Sequence, residues 1–212
     1  FISIYIRKGL ILMINKSSKI GVILAILFEI LIIITAIKTA SSNPWSYILF
    51  LLWDAISIFI PFIVLKVANS NKITLPSSFL SASIIFIFAT LYLGETLKFY
   101  SMFWWWDLFL HGTFGVYGVI IGVHLLQGII EKTKNTTKKK FSKFTLVFAF
   151  CFTIAIGTIW EIYEFLADYF FKTDMTNGSL EDTATDLMIK ITCAFITCLI
   201  YYFSKLKKAN NV

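Results

Sequence analysis

Three acidic side chains share one helical face in the stretch WEIYEFLAD, which runs from Trp160 to Asp168. Glu161, Glu164 and Asp168 stand at i, i+3 and i+7, a spacing that places them on one side of an α-helix. The preceding run FTLVFAFCFTIAIGTI carries no charge and has the composition of a membrane-spanning segment. Because a carboxylate at membrane depth is costly, this spacing predicts that the three groups have partners or a functional purpose.

Two further pairs of polar residues have helical spacing. The stretch WWWDLFLHGTFG places Asp107 and His111 at i and i+4, and NGSLEDTATDL places Asp182 and Asp186 at the same spacing. One imidazole with several carboxylates is a ligand set for Zn, Mn or Fe, and the same groups suit acid–base chemistry with His111 as base. The predicted metal ligands are Asp107, His111, Glu161, Glu164, Asp168, Asp182 and Asp186, and the predicted catalytic groups are His111, Glu161 and Glu164.

The same acidic residues also suit purely structural roles. Asp107 and Asp168 fit ordinary charges at a membrane interface. Asp182 fits a helix N-cap, and both Asp182 and Asp186 fit the favourable N-terminal end of a helix dipole. These alternatives stay open at the level of the sequence.

Several other polar residues lie within or beside the apolar segments. Lys98 and Lys190 suit simple ion pairs with the acidic residues. Glu29 and Asp54 fall near the middle of their segments, where an ionisable residue is by default a candidate for function. His124 is typical of a hydrogen-bonded packing residue.

The amino-acid composition indicates that these groups are positioned by an integral membrane protein. Of the 212 residues, 58% are hydrophobic and 15% are charged, against about 45–50% and about 25% in soluble domains. We therefore predict an all-α, polytopic membrane bundle of about six transmembrane helices. The predicted spans are Ile20–Ile37, Trp45–Leu65, Leu75–Leu97, Leu108–Ile130, Phe144–Phe165 and Leu187–Phe203, the last beginning earlier, near Asp182.

The predicted organisation is one transmembrane domain over residues 20–203 between two cytoplasmic segments. Residues 1–19 form the N-terminal segment, in which 1–12 precede Met13 and are interpreted as an extension, and 204–212 form a basic tail. Inside the second span, Pro61 predicts a kink or break. Gly112, Gly115, Gly118 and Gly122 give the fourth span the small-residue spacing of close helix packing.

The charges orient this bundle. With the N-terminus in the cytoplasm, 15 of the 19 basic residues fall on the cytoplasmic side, as the positive-inside rule requires. An even number of spans returns the C-terminus to the same side, so the polar residues near the outer ends of spans three to six face the extracytoplasmic side. The basic residues are divided among four segments without a nucleic-acid motif, which argues against a nucleic-acid partner.

Three motifs carry a resemblance to a known family. D-x-x-x-H-G-x-x-G from Asp107, W-E-x-x-E from Trp160 and D-T-x-x-D-L from Asp182 resemble, in order and over roughly residues 75–200, the YjdF-like proteins of the bacterial inner membrane. The first element is more distantly similar to VanZ-like proteins. The resemblance implies a multi-pass protein of the bacterial cytoplasmic membrane. It also implies that six residues belong to one site, namely Asp107, His111, Glu161, Glu164, Asp182 and Asp186. It implies no particular reaction.

Three functions remain open from the sequence. The first is a metal-dependent hydrolase or transferase that acts on a membrane lipid or a lipid-linked substrate from the outer leaflet. The second is a small transporter or ion-coupled carrier, in which Glu29, Asp54 and His124 extend a path inward and a homodimer compensates for the small chain. The third is a non-catalytic envelope protein whose acidic cluster is a structural ion-pair network.

Overall fold

The described part of the protein is helical throughout. The computed structural model describes residues 2–39, 45–129, 137–171, 175 and 180–210, and no strand occurs among them. Eight α-helices and one π-helical segment occur in these ranges. The α-helices are α1 (Ile2–Thr39), α2 (Trp45–Ser57), α3 (Ile60–Ser70), α4 (Phe79–Ile87), α5 (Phe99–Met102), α6 (Trp106–Ile129), α7 (Lys138–Phe171) and α8 (Leu180–Asn210), and the π-helical segment is Phe88–Thr96.

Six of the helical stretches are long and apolar enough to cross a membrane. They are Lys19–Thr39, Tyr47–Ser70, Phe79–Thr96, Trp106–Gln127, Lys140–Phe170 and Leu180–Ser204. These stretches confirm the six predicted spans, including the earlier start of the last one, and they make this a multi-pass membrane protein. The cytoplasmic placement of both termini stays a prediction.

The helices form two compact units, Phe1–Trp106 and Asp107–Val212. We refer to them as the N-terminal unit and the C-terminal unit and describe each by itself. The predicted single domain over residues 20–203 stays a prediction.

Pro61 interrupts the second span in the N-terminal unit. α2 ends at Ser57, α3 begins at Ile60, and Pro61 occupies the first turn of α3. Proline has no N–H and its ring crowds the carbonyl four residues earlier, which kinks or breaks a helix, and here the helix breaks. The break predicted from the sequence is confirmed.

Aromatic and aliphatic side chains hold the N-terminal unit together. Phe28 of α1 stacks on Phe88 of the π-helical segment with ring centroids 3.7 Å apart. One turn along that segment, the Tyr92 hydroxyl lies 2.6 Å from the Thr35 hydroxyl. These contacts fix α1 against the π-helical segment, and Leu51 of α2 joins the same buried cluster.

Glycines allow the three helices of the C-terminal unit to approach closely. A Cβ on Gly115 of α6 would lie 2.6 Å from the backbone oxygen of Lys190 on α8, and one on Gly122 would lie 2.8 Å from Cα of Ala149 on α7. Real Cβ atoms do not approach so closely, so only glycine fits at either position. The prediction of close helix packing along α6 is confirmed.

Candidate functional site

Helices α6, α7 and α8 each contribute polar side chains to one buried cluster in the C-terminal unit. Asp107 lies in the first turn of α6, where the positive end of the helix dipole favours a carboxylate. His111 follows one turn later and shares a face of α6 with Asp107 because their spacing is i, i+4. This face meets α7 and α8, since His111 lies beside Glu161 and Asp186. Glu161 and Glu164 come from α7, and Asp186 comes from α8.

His111 lies at the centre of this cluster and is buried. Its Nε2 atom lies 3.1 Å from Oδ1 of Asp107 and 3.6 Å from Oδ2 of Asp186. Its Nδ1 atom lies 3.8 Å from Oε1 of Glu161. The two ring nitrogens therefore face different carboxylates, two on the Nε2 side and one on the Nδ1 side.

A buried ion pair occupies the Nδ1 side. Lys190 of α8 donates to Oε1 of Glu161, the same oxygen that faces His111. Its ammonium also lies 3.4 Å from the backbone oxygen of Gly157, to which it donates. Both Lys190 and Glu161 are buried, so the pair is shielded from water and holds the facing sides of α7 and α8 in register.

Glu164 is held by its own helix. The indole Nε1 of Trp160 donates to Oε1 of Glu164 over 2.8 Å. The two residues are i, i+4 and share one face of α7. Glu164 is buried, and its carboxylate lies in a group with His111 and Glu161 whose ligand atoms are all within 4.8 Å of one another.

The cluster contains more acidic than basic groups. Its four carboxylates are those of Asp107, Glu161, Glu164 and Asp186, and Lys190 supplies an ammonium among them. All but Asp107 are buried, and the Asp107 side chain is 26% exposed. Burying unbalanced carboxylates in a low-dielectric interior is costly. The cluster therefore favours a bound cation or protons in addition to Lys190.

The distances fit a metal on the Nε2 side of His111. Nitrogen and oxygen ligands about 2.0–2.2 Å from a tetrahedral zinc lie about 3.4 Å from one another. The two contacts of Nε2, at 3.1 Å to Asp107 and 3.6 Å to Asp186, bracket that value. The ligand atoms of all three residues lie within 4.8 Å of one another, so the residues present can hold such an ion.

Two of the seven predicted metal ligands lie outside these groups of ligand atoms. Asp168 accepts a hydrogen bond of 2.8 Å from the backbone N–H of Met175, seven residues further on. Asp182 lies in the first turn of α8. The other five predicted ligands are brought together, namely Asp107, His111, Glu161, Glu164 and Asp186.

The other polar residues singled out in the sequence have different surroundings. Nδ1 of His124 on α6 donates to the backbone oxygen of Ile120 over 2.8 Å. This is the hydrogen bond expected of a packing residue. Oε1 of Glu29 is buried and has no hydrogen-bond partner among the described residues. Asp54 is buried and accepts from Thr96.

Two features of the site go beyond the expectations from the sequence. The ion pair expected between Lys190 and an acidic residue is confirmed with Glu161, and the Glu161 oxygen that accepts from Lys190 also faces His111. The position of Lys190 one turn beyond Asp186 on the same face of α8 was the available signal. Trp160 precedes Glu161 in the motif, and its i, i+4 relation to Glu164 could have indicated the hydrogen bond.

Comparison with known proteins gives the family. The profile described as "Predicted membrane protein (DUF2238)" matches residues 20–207. The chain belongs to the DUF2238 family. That match covers all six candidate spans except for Lys19. It is consistent with the YjdF-like resemblance, whereas the VanZ-like resemblance gains no support.

A relative of this DUF2238 protein occurs in Thermotoga maritima. It is named "Uncharacterized protein" and is 24% identical over 191 residues, which cover 90% of this chain and 93% of the relative. No solved structure gives a significant match.

Proposed function

We propose that this membrane protein binds a divalent metal ion in the buried cluster of the C-terminal unit. The observation that carries the proposal is the excess of carboxylates around His111, whose Nε2 atom has two of them at 3.1 and 3.6 Å. Zn, Mn and Fe all take imidazole and carboxylate ligands. A divalent cation would reduce the charge imbalance that Lys190 alone leaves in place.

The charges favour the Nε2 side of His111 as the position of the metal. On the Nδ1 side, Oε1 of Glu161 already accepts from the Lys190 ammonium, and a metal there would be repelled by that ammonium. On the Nε2 side, Asp107 and Asp186 form no other ion pair among the described residues. We infer that His111, Asp107 and Asp186 are the ligands.

Glu161 and Lys190 then act as positioning residues. A metal-binding histidine commonly directs its other ring nitrogen toward a carboxylate, which fixes the orientation of the ring. Glu161 lies 3.8 Å from Nδ1 and is itself held by Lys190. That distance is longer than a hydrogen bond, so the pair would favour this ring orientation through the negative charge it places on the Nδ1 side.

We further propose that the site serves hydrolysis or group transfer on a lipid or lipid-linked substrate. A divalent ion, when bound, supplies Lewis acidity that polarises a carbonyl or phosphoryl oxygen. Glu164 has one oxygen held by Trp160 and is the side chain best suited to accept or deliver a proton. The support for a lipid substrate is that α6, α7 and α8 all belong to candidate spans and that the Asp107 side chain, at 26% exposed, is the most exposed carboxylate of the cluster.

Elemental analysis of the purified full-length protein tests the metal proposal. We expect one Zn, Mn or Fe per chain after detergent extraction, and loss of most of it in His111→Ala and in Asp186→Asn. Asp182→Asn is the matched control, since it changes an aspartate on the same helix outside the groups of ligand atoms. Metal-free wild-type protein that also fails to bind added metal would exclude the proposal.

The catalytic proposal has a separate test. Membrane lipids of cells that produce the wild-type protein are compared by mass spectrometry with those of cells that produce Glu164→Gln. We expect a lipid or lipid-linked species to accumulate in the variant while its metal content stays at the wild-type level. Identical lipid profiles would argue against this chemistry and leave the metal site intact.

A further inference from the structure

We propose that the N-terminal unit contains a second cation site, built on Asp54, which takes a monovalent metal ion such as Na⁺. The site uses no residue of the C-terminal unit, and the inference is independent of the metal proposal. The proposed ligands are three kinds of oxygen atom: those of a carboxylate, of hydroxyl groups and of backbone carbonyls at the ends of two helical segments.

Asp54 is a buried carboxylate that no basic side chain of the described residues pairs with. It is 4% exposed and lies within the candidate span Tyr47–Ser70. Its Oδ2 atom accepts a hydrogen bond of 2.7 Å from the Thr96 hydroxyl. None of the ion pairs among the described residues includes Asp54. An isolated carboxylate inside a membrane protein is costly unless a cation or a proton neutralises it.

Two helical segments end beside this carboxylate. α2 ends at Ser57, three residues after Asp54, and the π-helical segment ends at Thr96, the residue that donates to Asp54. The C-terminal end of a helix carries partial negative charge on its carbonyl groups. Interrupted helices in membrane transporters coordinate Na⁺ with such ends and with unwound backbone carbonyls.

The break at Pro61 adds an oxygen to the site. Proline has no N–H, so Pro61 cannot donate to the carbonyl of Ser57 four residues earlier. The carbonyl of Ser57 is thereby left without its normal helical donor at the end of α2. This oxygen lies one turn from Asp54 along the chain.

The Ser57 hydroxyl is an independent sign of a ligand. Ser57 is 2% exposed, and its Oγ atom is buried without a hydrogen-bond partner among the described residues. Its i, i+3 relation places it on the same face of α2 as Asp54. A buried hydroxyl without a partner is costly, and a cation on the Asp54 face would satisfy it.

The single carboxylate charge and the unsatisfied oxygens together favour a monovalent metal ion. One carboxylate balances one positive charge, which favours a monovalent over a divalent ion. A proton on Asp54 would neutralise the carboxylate but would leave the Ser57 hydroxyl and carbonyl unsatisfied. A monovalent metal ion satisfies all of these oxygens at once.

Binding of radioactive sodium to purified full-length protein tests the proposal. EDTA is present to remove divalent ions, and choline chloride keeps the ionic strength constant. We expect saturable binding of one Na⁺ per chain in the wild type and a loss of affinity of about tenfold or more in Asp54→Asn. Ser57→Ala and Thr96→Val are each expected to weaken binding about threefold or more, since each removes one ligand oxygen.

Matched controls separate the site from general effects of losing a hydroxyl. Thr90→Val removes a hydroxyl of the same π-helical segment that donates to the backbone oxygen of Phe86. Ser81→Ala removes a hydroxyl that donates to the backbone oxygen of Ser78. Both variants are expected to bind Na⁺ as the wild type does, as is Asp186→Asn in the C-terminal unit.

Several outcomes would overturn the proposal. The first is a wild type that binds no Na⁺ above the choline background. The second is a folded Asp54→Asn variant that binds Na⁺ as tightly as the wild type. The third is Na⁺ binding that is lost in Asp186→Asn but kept in Asp54→Asn. Size-exclusion chromatography shows whether Asp54→Asn folds. If it does not, the test is the Na⁺ affinity of Ser57→Ala and Thr96→Val compared with that of their matched controls. Equal Na⁺ affinity in all four hydroxyl variants would then exclude the site.

Discussion

Lys190 of α8 donates to the buried carboxylate of Glu161 on α7, and the same carboxylate oxygen faces the imidazole of His111. One ammonium thus joins two helices and holds the carboxylate that faces the side chain at the centre of the candidate site. Removing one partner leaves the other as an isolated buried charge, and this consequence is measurable.

We predict that Lys190→Met destabilises the protein strongly. The isolated Glu161 carboxylate costs about 3–5 kcal/mol in free energy of unfolding, the usual effect of breaking a buried pair. Unfolding in mixed detergent micelles measures it. The double variant Glu161→Gln/Lys190→Met is expected to recover part of the loss.

Lys143→Met, at an exposed lysine of α7, is the control and changes stability by less than about 0.5 kcal/mol. Equal effects of Lys190→Met and Lys143→Met would show that the ion pair contributes nothing.

We predict that Gly115→Ala impairs the site through helix separation. The new Cβ would lie 2.6 Å from the backbone oxygen of Lys190, so α6 and α8 must move apart, at a cost of about 1–3 kcal/mol. Metal content falls because Asp107 and His111 move away from Asp186. Gly112→Ala is the control, since its Cβ meets only flexible side chains, the nearest atom being Sγ of Cys193 at 3.3 Å. Wild-type metal content in Gly115→Ala would contradict this account.

We predict that Trp160→Phe separates stability from metal binding. The substitution removes the donor that lies 2.8 Å from Oε1 of Glu164, and an unsatisfied buried acceptor costs about 1–3 kcal/mol. Metal content stays at the wild-type level because the proposed ligands lie on the Nε2 side of His111. Trp53→Phe, at an exposed tryptophan of α2, is the control for stability. A fall in metal content as large as that in His111→Ala would place the metal beside Glu164 instead.

We predict that adding metal stabilises the folded protein. A ligand that binds only the folded state at about 100 times its dissociation constant adds about 2.7 kcal/mol. Thermal unfolding of chelator-treated protein, with and without added Zn²⁺ or Mn²⁺, measures the effect. Asp186→Asn is expected to lose the stabilisation, while Asp182→Asn keeps it. An equal metal response in both variants would place the binding elsewhere.

The features that follow from helical periodicity could be predicted from the sequence. The six spans, the break at Pro61 and the shared face of Asp107 and His111 each depend on one segment at a time. The grouping of these residues with Glu161, Glu164 and Asp186 also followed, because carboxylates at similar membrane depth in adjacent spans tend to meet.

Contacts that depend on how helices are rotated against one another could not be predicted. Periodicity places Lys190 on the face of Asp186 but does not say which carboxylate of α7 it meets. The hydrogen bond from Thr96 to Asp54 depends on the π-helical segment, which changes the angular position of every later residue relative to an α-helix. The sequence FATLYLGET gives no sign of that change.

The order of the helices along the chain also determines when the cluster can form during synthesis. Glu161 is translated 29 residues before the lysine that neutralises it. At roughly 5–20 residues per second, Glu161 precedes Lys190 by about 1.5–6 s. Until α8 is made, the carboxylates of α7 must be solvated by water, shielded by the insertion machinery or neutralised by protons. A chain truncated before α8 would therefore be a poor candidate for stable membrane integration.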